Sequence, residues 1–142
     1  MKKISQSLVT TLTILLISLL TSCSTEMKFG ISQVVPTATG SVKIKEDDNT
    51  NTSIKIKVQH LASPERLTPP KKEYVVWMET ERNGTKNLGR LETSSGLSGD
   101  ISGSLSTTTP FAPLHFIITA EDSPTPEYPG SVIVLSTKNV TN

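Results

Sequence analysis

Residues 41–61 read SVKIKEDDNTNTSIKIKVQHL, and their apolar side chains recur at every second position. Val42 and Ile44 alternate with lysines, and the same alternation returns from Ile54 to Val58. A period of two is typical of a β-strand with one buried face, whereas an amphipathic helix needs apolar residues at intervals of three and four. The acidic, turn-forming residues between the two runs therefore predict a hairpin with a long loop.

The strongest further strand is EYVVWMETE, residues 73–81. Asn83-Gly84 follows it directly and predicts a type I′ hairpin, because both residue types tolerate positive φ. The return strand is then TKNLGRLET, residues 85–93. Of the two large aromatic residues in the first strand, we expect Trp77 to lie in the core, since a chain this poor in aromatics needs them inside.

The remaining chain continues with short runs of period two or of uniformly apolar residues, and nothing in it predicts a helix. Further strands are predicted near residues 101–105, 114–122 and 130–137. The proline-containing segments 63–72 and 122–130 are predicted connections, because proline cannot donate to a strand ladder. We therefore predict an all-β fold, an immunoglobulin-like β-sandwich of about seven antiparallel strands, without the cysteine pair of antibody domains.

The first 22 residues have the composition of a secretory signal peptide. Lys2 and Lys3 precede an apolar run from Leu8 to Leu20, which ends in small residues. This run is shorter than the roughly 20 residues that span a bilayer. We predict cleavage of residues 1–22, with an ordinary secretory site as the alternative to the lipoprotein site described next.

Leu20-Thr21-Ser22-Cys23 resembles the lipobox of bacterial lipoproteins. In that family the cysteine thiol receives a diacylglycerol, the chain is cut just before the cysteine, and the new amino terminus is usually acylated, for example with palmitate. The resemblance implies lipidation of Cys23, a membrane as the first partner, and an extracytoplasmic location in the cell envelope. Cys23 is the one cysteine in the chain, so no intramolecular disulfide forms.

These observations divide the chain into three predicted parts. Residues 1–22 are the signal peptide, residues 23–38 are the lipidated N-terminus and a tether leading into an edge strand, and residues 39–142 are the β-sandwich domain. Loss of Lys2 and Lys3 leaves 12 Lys and Arg against 13 Asp and Glu, a net charge of −1. A nucleic-acid-binding protein usually has an excess of basic residues, and the chain without residues 1–22 has none. Nucleic acid is therefore not an expected partner.

The second half also resembles the extracytoplasmic C-terminal domain of the anti-sigma-K factor family. The resemblance covers residues 73–137 and is carried by Tyr74, Trp77, Asn83-Gly84, the NLGRL motif with Leu88, Gly89 and Leu91, and the run FIITAEDSPTPEYPGSVIVL. It implies an all-β extracytoplasmic domain. Family members carry a cytoplasmic sigma-binding domain and a transmembrane helix before it, and this chain has Asp122-Ser123 where the family tends to have a glycine pair. Sigma-factor binding is not implied, because a lipid-anchored chain outside the cytoplasm cannot reach a sigma factor.

No residue pattern points to catalysis, a metal or a cofactor. His60 and His115 are the two histidines, and neither has a second ligand at metal-binding spacing. The acidic stretch Glu46-Asp47-Asp48-Asn49 lacks the spaced ligands and the glycine of a calcium loop. A serine, His115 and Asp100 could be imagined as a nucleophilic set, but a Gly-x-Ser-x-Gly elbow is missing.

The predicted hairpin places a ladder of four lysines on one solvated sheet face, at positions Lys43, Lys45, Lys55 and Lys57. Such a ladder could meet an acidic polymer or lipid headgroups, and it could also simply keep the surface solvated. We predict a non-catalytic binding or scaffolding module that contacts another envelope protein or a surface polymer, with the loops 63–72 and 122–130 as contact surfaces. The alternatives are an envelope hydrolase or metal-dependent enzyme that uses His60 or His115, and a purely structural lipoprotein.

Overall fold

The computed structural model describes residues 24–47 and 49–138. The predicted signal peptide and Cys23 lie outside these residues. The described chain forms nine strands and one 3₁₀ turn, Pro64–Arg66. The strands are β1 (Thr25–Lys28), β2 (Thr39–Glu46), β3 (Thr52–Leu61), β4 (Glu73–Thr80), β5 (Gly84–Arg90), β6 (Glu92–Ser95), β7 (Ile101–Thr109), β8 (Pro113–Glu121) and β9 (Ile133–Ser136).

The strands form two antiparallel sheets, which confirms the predicted all-β sandwich. The five-stranded sheet has the order β1-β2-β3-β7-β6, and the four-stranded sheet has the order β5-β4-β8-β9. Apolar residues of both inner faces form one continuous core, with Val42, Ile54, Ile56 and Val58 from the first sheet and Tyr74, Val76, Met78, Phe116, Ile118 and Leu135 from the second. Burial of this area is the main force that holds the sheets together.

The β2–β3 hairpin forms as its alternation predicts. Val42 pairs with Ile56 and Ile44 with Ile54, so the apolar side chains share the inner face. The Asp47 carboxylate organises the connecting loop, because its Oδ1 accepts hydrogen bonds from the backbone N–H groups of Asn49 and Asn51, each at 2.9 Å. An aspartate that bonds backbone groups two or more residues ahead stabilises such a turn locally.

The β4–β5 hairpin is present, but the predicted type I′ turn is wrong. Three residues, 81–83, separate the paired residues Thr80 and Gly84, and only Gly84 of the Asn83-Gly84 pair has a positive φ, of 67°. The Thr80 hydroxyl donates to the Gly84 carbonyl at 2.8 Å and accepts from the Asn83 N–H at 2.9 Å. A three-residue hairpin loop needs a glycine at this left-handed position, which explains why the dipeptide still marks the turn.

The predicted return strand 85–93 is two strands in different sheets, and this accounts for part of the increase from seven strands to nine. The chain leaves the four-stranded sheet after Arg90 and enters the five-stranded sheet at Glu92. Leu91 lies between them, 2% exposed, and its N–H donates to the Tyr74 carbonyl at 2.9 Å. Burial of Leu91 in the core thus fixes the point at which the chain crosses between the sheets.

The other additional strand is β1, and it lies at the very start of the segment in which an edge strand was expected. Ser24 alone separates Cys23 from Thr25, which pairs with Ile44 of β2. The chain then crosses to the other sheet, where Phe29 bridges Thr137 and the Gly30 N–H donates to the Ser136 carbonyl at 2.9 Å. This contact covers part of the β9 edge.

All nine strands and the whole inter-sheet core lie between Thr25 and Ser136. The fragment 24–142 therefore contains all of these strands and the core between them. Among residues 24–47 and 49–138, no helix has the length and apolarity needed to cross a membrane.

Candidate functional site

The two proline-containing connections lie side by side at one end of the sandwich. The Lys71 Nζ lies 2.7 Å from Asp122 Oδ2, which joins the first connection to the second. Next to this ion pair the Lys72 N–H donates to the Glu121 carbonyl at 2.9 Å. The segments 63–72 and 122–130, predicted separately as contact surfaces, are thus parts of one surface, which we call the proline-loop surface.

Segment 122–130 turns back over the outer face of the four-stranded sheet. It leaves β8, yet the carbonyls of Pro124 and Pro126 both accept hydrogen bonds from the Asn87 side-chain amide, at 3.3 Å each, on the edge strand β5. Between β5 and β8 lies β4, so the segment passes across the middle of the sheet. A proline-rich segment suits this course, because its carbonyls are free to accept bonds while its missing N–H groups need no partner.

Trp77 is buried as predicted, but on the outer face of its sheet and not between the sheets. It is 0% exposed and packs in a small second cluster with Val75 and Ile117. Alternation along β4 sends Tyr74, Val76 and Met78 to the inner face, so Trp77 points the other way. Both aromatic residues of the YVVWM motif are therefore buried, one on each face.

A buried hydrogen-bond network fixes the start and the end of segment 122–130 to the sheet. The Trp77 indole N–H donates to Thr119 Oγ1 at 2.8 Å, and the Thr119 hydroxyl donates to the Glu121 carboxylate. The same carboxylate oxygen accepts the Gly130 N–H at 2.7 Å. A Cβ at Gly130 would lie 2.6 Å from this carboxylate, so the close approach requires glycine. Charge-assisted bonds of this kind are about twice as strong as neutral ones.

A polar cavity of about 400 Å³ opens beside the proline-loop surface. Pro64, Lys72, Glu73, Arg90 and Glu92 contribute to its lining. The Glu73 Oε2 is buried without a hydrogen-bond partner among the described residues, and the nearest cation, Arg90 Nη1, lies 3.8 Å away. A buried carboxylate oxygen without a hydrogen bond costs free energy, and the ion pair with Arg90 offsets part of that cost.

Tyr74 connects the inter-sheet core to the beginning of the first proline-containing connection. Its hydroxyl donates to the Ala62 carbonyl at 2.8 Å, while its ring is 1% exposed. Burial raises the pKa of the Tyr74 phenol to about 12, because the phenolate would lose its hydration. Tyr128 in the second connection is, in contrast, 72% exposed and presents its ring to solvent.

The two histidines lie in different sheets, and Asp100, the acid imagined from the sequence as a partner of His115, lies beside His60 instead. His60 Nδ1 lies 2.7 Å from Asp100 Oδ2, and both side chains are about half exposed. The pairing of His115 with Asp100 is therefore wrong. Within the described part of the chain, no group of three or more His, Cys, Asp and Glu side chains is arranged to hold a metal ion.

His115 lies instead between a carboxylate and a hydroxyl on three adjacent strands. Its Nδ1 is 3.1 Å from Glu79 Oε2 of β4, and its Nε2 is 3.3 Å from Ser136 Oγ of β9. Neither Glu79 nor Ser136 was predicted from the sequence as a site residue. Alternation could have placed Glu79 on the face of Trp77, but the pairing of Glu79 with His115 depends on a register between distant strands.

The lysines of the first hairpin lie in rows on the outer face of the five-stranded sheet. Lys43 pairs directly with Lys55, and Ser41 and Lys57 form the next row, to which Lys28 of β1 is added. We call the surface formed by the exposed side chains of Lys28, Lys43, Lys45, Lys55 and Lys57 the lysine face. Hydroxyl residues, Ser41, Ser53, Ser104, Ser106 and Thr108, occupy the paired positions between them.

Comparison with known proteins gave no match to a family model, to a curated protein or to a solved structure. Two resemblances therefore stay predictions that rest on the sequence alone: that of residues 73–137 to the anti-sigma-K factor domain, and that of Leu20–Cys23 to a lipobox.

Proposed function

We propose that this chain is a bacterial lipoprotein, held in a membrane of the cell envelope by acyl chains on Cys23, whose sandwich acts outside the cytoplasm as a non-catalytic binding or scaffolding module. The lipobox-like Leu20-Thr21-Ser22-Cys23 supports the anchor. Two or three acyl chains hold a protein stably on a bilayer, whereas one does so only marginally.

The strand order supports an immunoglobulin-like classification. Such sandwiches pair strands A-B-E-D in one sheet and C-F-G in the other, with C′ beside C in the variable type. In chain order, β2-β3-β7-β6 and β5-β4-β8-β9 have the same neighbours as A-B-E-D and C′-C-F-G. The strand β1 is then an addition at the A edge. Domains of this class usually bind through loops and exposed faces rather than through a catalytic centre.

The proline-loop surface is the proposed contact site. The observation that carries this assignment is that segment 122–130 is held at both ends while it exposes Tyr128. At its start Asp122 pairs with Lys71 of the first connection, and at its end the Gly130 N–H donates to Glu121 of β8. A fixed segment loses little conformational entropy when it binds, and tyrosine supplies a large amphipathic contact area. The adjoining cavity adds the exposed charged side chains of Arg90 and Glu92.

The proposed partner is another envelope protein or a surface polymer. The resemblance to the extracytoplasmic domain of the anti-sigma-K factor family supports such a role without implying contact with a sigma factor. Neither a cofactor nor nucleic acid is part of the proposal, and the balance of 12 Lys and Arg against 13 Asp and Glu after removal of the signal peptide agrees with the latter.

Crosslinking in intact cells tests this proposal. Tagged full-length protein is crosslinked, the membranes are solubilised, and co-purifying proteins and glycans are identified by mass spectrometry. Tyr128→Ser is compared with Leu97→Ser, which removes an even more exposed apolar side chain from a turn outside the proline-loop surface. Cys23→Ser is the anchor control.

A partner recovered in near-stoichiometric yield, reduced by Tyr128→Ser and retained by Leu97→Ser, is the expected result. Equal loss in both variants would contradict the proline-loop surface as the contact site. Recovery of nothing above the Cys23→Ser control would favour a purely structural lipoprotein.

The contacts of His115 favour one second candidate, an envelope hydrolase. The order Glu79–His115–Ser136 places the carboxylate on Nδ1 and the hydroxyl on Nε2, as a histidine base between an orienting acid and a serine nucleophile requires. Labelling of the purified protein with a fluorophosphonate tests it. The hydrolase predicts labelling that Ser136→Ala and His115→Gln abolish, whereas the binding module predicts none above a heat-unfolded control.

A further inference from the structure

We infer that the lysine face lies against an anionic lipid surface, so that the five-stranded sheet faces the membrane and the proline-loop surface faces away from it. The orientation rests on the proposed anchor at Cys23, whereas the affinity of the lysine face for anionic lipid stands without it. The occupant is a bilayer surface that carries phosphate headgroups of net negative charge.

The charge distribution is the first argument. The lysine face carries five lysines, and the acids on the same outer face are Glu26, opposite Lys43, and Glu92, opposite Ser104. Its net charge is therefore +3, while residues 24–142 as a whole carry −1, which leaves −4 for the remainder. A surface so polarised turns its positive side toward an anionic bilayer.

The placement of the lysines on interior strands is the second argument. Lys43 and Lys55 lie directly opposite each other on β2 and β3, neither of which is a sheet edge. Like charges at paired positions destabilise a sheet, and lysines that protect against unwanted strand pairing belong on edges. Among residues 24–47 and 49–138, Lys43 has one ion pair that relieves this repulsion, with Glu26, and it is long, at 4.0 Å. Anionic headgroups would neutralise both lysines at once.

The position of the anchor is the third argument. Cys23 precedes Thr25 by two residues, a reach of about 7 Å even when fully extended. Thr25 belongs to β1, the edge strand that also contributes Lys28 to the lysine face. A sandwich held this close to the bilayer has few accessible orientations. In the orientation that places the lysine face on the headgroups, electrostatic attraction adds to the membrane affinity of the acyl chains.

The side of the molecule opposite the lysine face is acidic. The outer face of the four-stranded sheet carries Glu73, Glu79 and Glu121, and the segment above it adds Asp122 and Glu127. Among the described residues, the cations on this side are Arg90, paired with Glu73, and Lys71, paired with Asp122, so five acids against two bases leave a net charge of −3. This acidic side would be repelled by the same headgroups. The proposed orientation therefore leaves the proline-loop surface and its cavity open to a partner in the envelope.

Vesicle sedimentation with the fragment 24–142, which carries no lipid, tests the lysine face separately from the anchor. Vesicles of phosphatidylcholine alone are compared with vesicles in which one third of the lipid is phosphatidylglycerol. The double variant Lys43→Gln/Lys55→Gln is matched with Arg66→Gln/Arg82→Gln, which removes the same charge from exposed positions outside the face.

The fragment is expected to sediment with the anionic vesicles only, and less so as salt is raised. Each lysine near a surface supplies about a fivefold change in affinity, so the lysine pair should weaken binding about 25-fold and the arginine pair far less. Absence of binding at low salt, or equal losses in both double variants, would overturn the inference. Binding to soluble polyphosphate but not to vesicles would overturn it in favour of an anionic polymer.

The orientation itself is tested with the full-length lipidated protein in the same anionic vesicles. Amine-reactive labelling should be slower at Lys43 and Lys55 than in detergent, and unchanged at Lys138. Equal rates at all three positions would overturn the orientation even if the fragment binds. Intact mass of the same protein reports the acyl chains on Cys23 independently, so failure of the anchor and failure of the lysine face remain distinguishable.

Discussion

Alkaline pH should destabilise the sandwich through a single side chain, Tyr74. Its ring is 1% exposed in the core, and its hydroxyl donates at 2.8 Å to the Ala62 carbonyl at the start of the first proline-containing connection. Tyr74→Phe leaves the ring in place and removes only this hydroxyl. At neutral pH we expect a loss of about 1 kcal/mol, the usual value of such a hydrogen bond.

The effect of the substitution should reverse as the pH rises. Burial raises the pKa of Tyr74 from 10.0 in the unfolded chain to about 12 in the folded protein. The neutral phenol is favoured by folding, so its stabilisation is complete below pH 10 and is lost as the pH rises toward 12. The loss reaches about 1.4 kcal/mol at pH 11 and approaches about 3 kcal/mol above the folded pKa. Near pH 11 the phenylalanine variant should therefore equal or exceed the wild type.

Urea unfolding at pH 8 and pH 11, followed by the fluorescence of the single tryptophan, measures both values. Both proteins contain the same lysines, so the effect of lysine titration on stability cancels in the difference between wild type and variant. Tyr128→Phe is the matched control, because Tyr128 is 72% exposed. Removal of its hydroxyl should leave the free energy of unfolding equal to that of the wild type at both pH values. A wild type and Tyr74→Phe variant that lose stability in parallel between pH 8 and pH 11 would refute the reasoning.

Three further substitutions probe the segment over Trp77 and the first hairpin turn of the second sheet. Thr119→Val keeps the shape of the side chain but removes the acceptor of the Trp77 N–H and a donor to Glu121, so we expect a loss of about 1–3 kcal/mol in urea unfolding. Gly130→Ala places a methyl group against the Glu121 carboxylate and should loosen segment 122–130, seen as a red shift of Trp77 emission; an unchanged spectrum would contradict the contact. Gly84→Ala forces alanine to a φ of 67° and should cost about 1 kcal/mol, whereas no loss would mean that the turn changes type.

Much of the fold could be predicted because its signals are local. The alternation from Val42 to Val58 determines which side chains face inward, and the register of β2 and β3 follows from it because a slip of one residue would expose every apolar side chain. The change of sheet at Leu91, between β5 and β6, is only weakly marked in the sequence. Its flanking residues fit a continuous strand, and only contacts with Tyr74 and the core show that the chain changes sheets there.

The candidate site was predictable only in part. Prolines marked the segments 63–72 and 122–130 as connections, but their association depends on Lys71 and Asp122, which are 51 positions apart. The course of the second segment over Trp77 depends on Asn87 and on the absence of a side chain at Gly130. Such contacts between distant residues leave no periodic pattern in the sequence.

The most direct test of the central proposal is the intact mass of the protein purified from bacterial membranes. We expect a chain that begins at Cys23 and carries a diacylglyceryl group with an additional amide-linked acyl chain, and a Cys23→Ser form that is neither cut at this site nor acylated. An unmodified mature chain that begins at another residue and is recovered from the soluble fraction would contradict it.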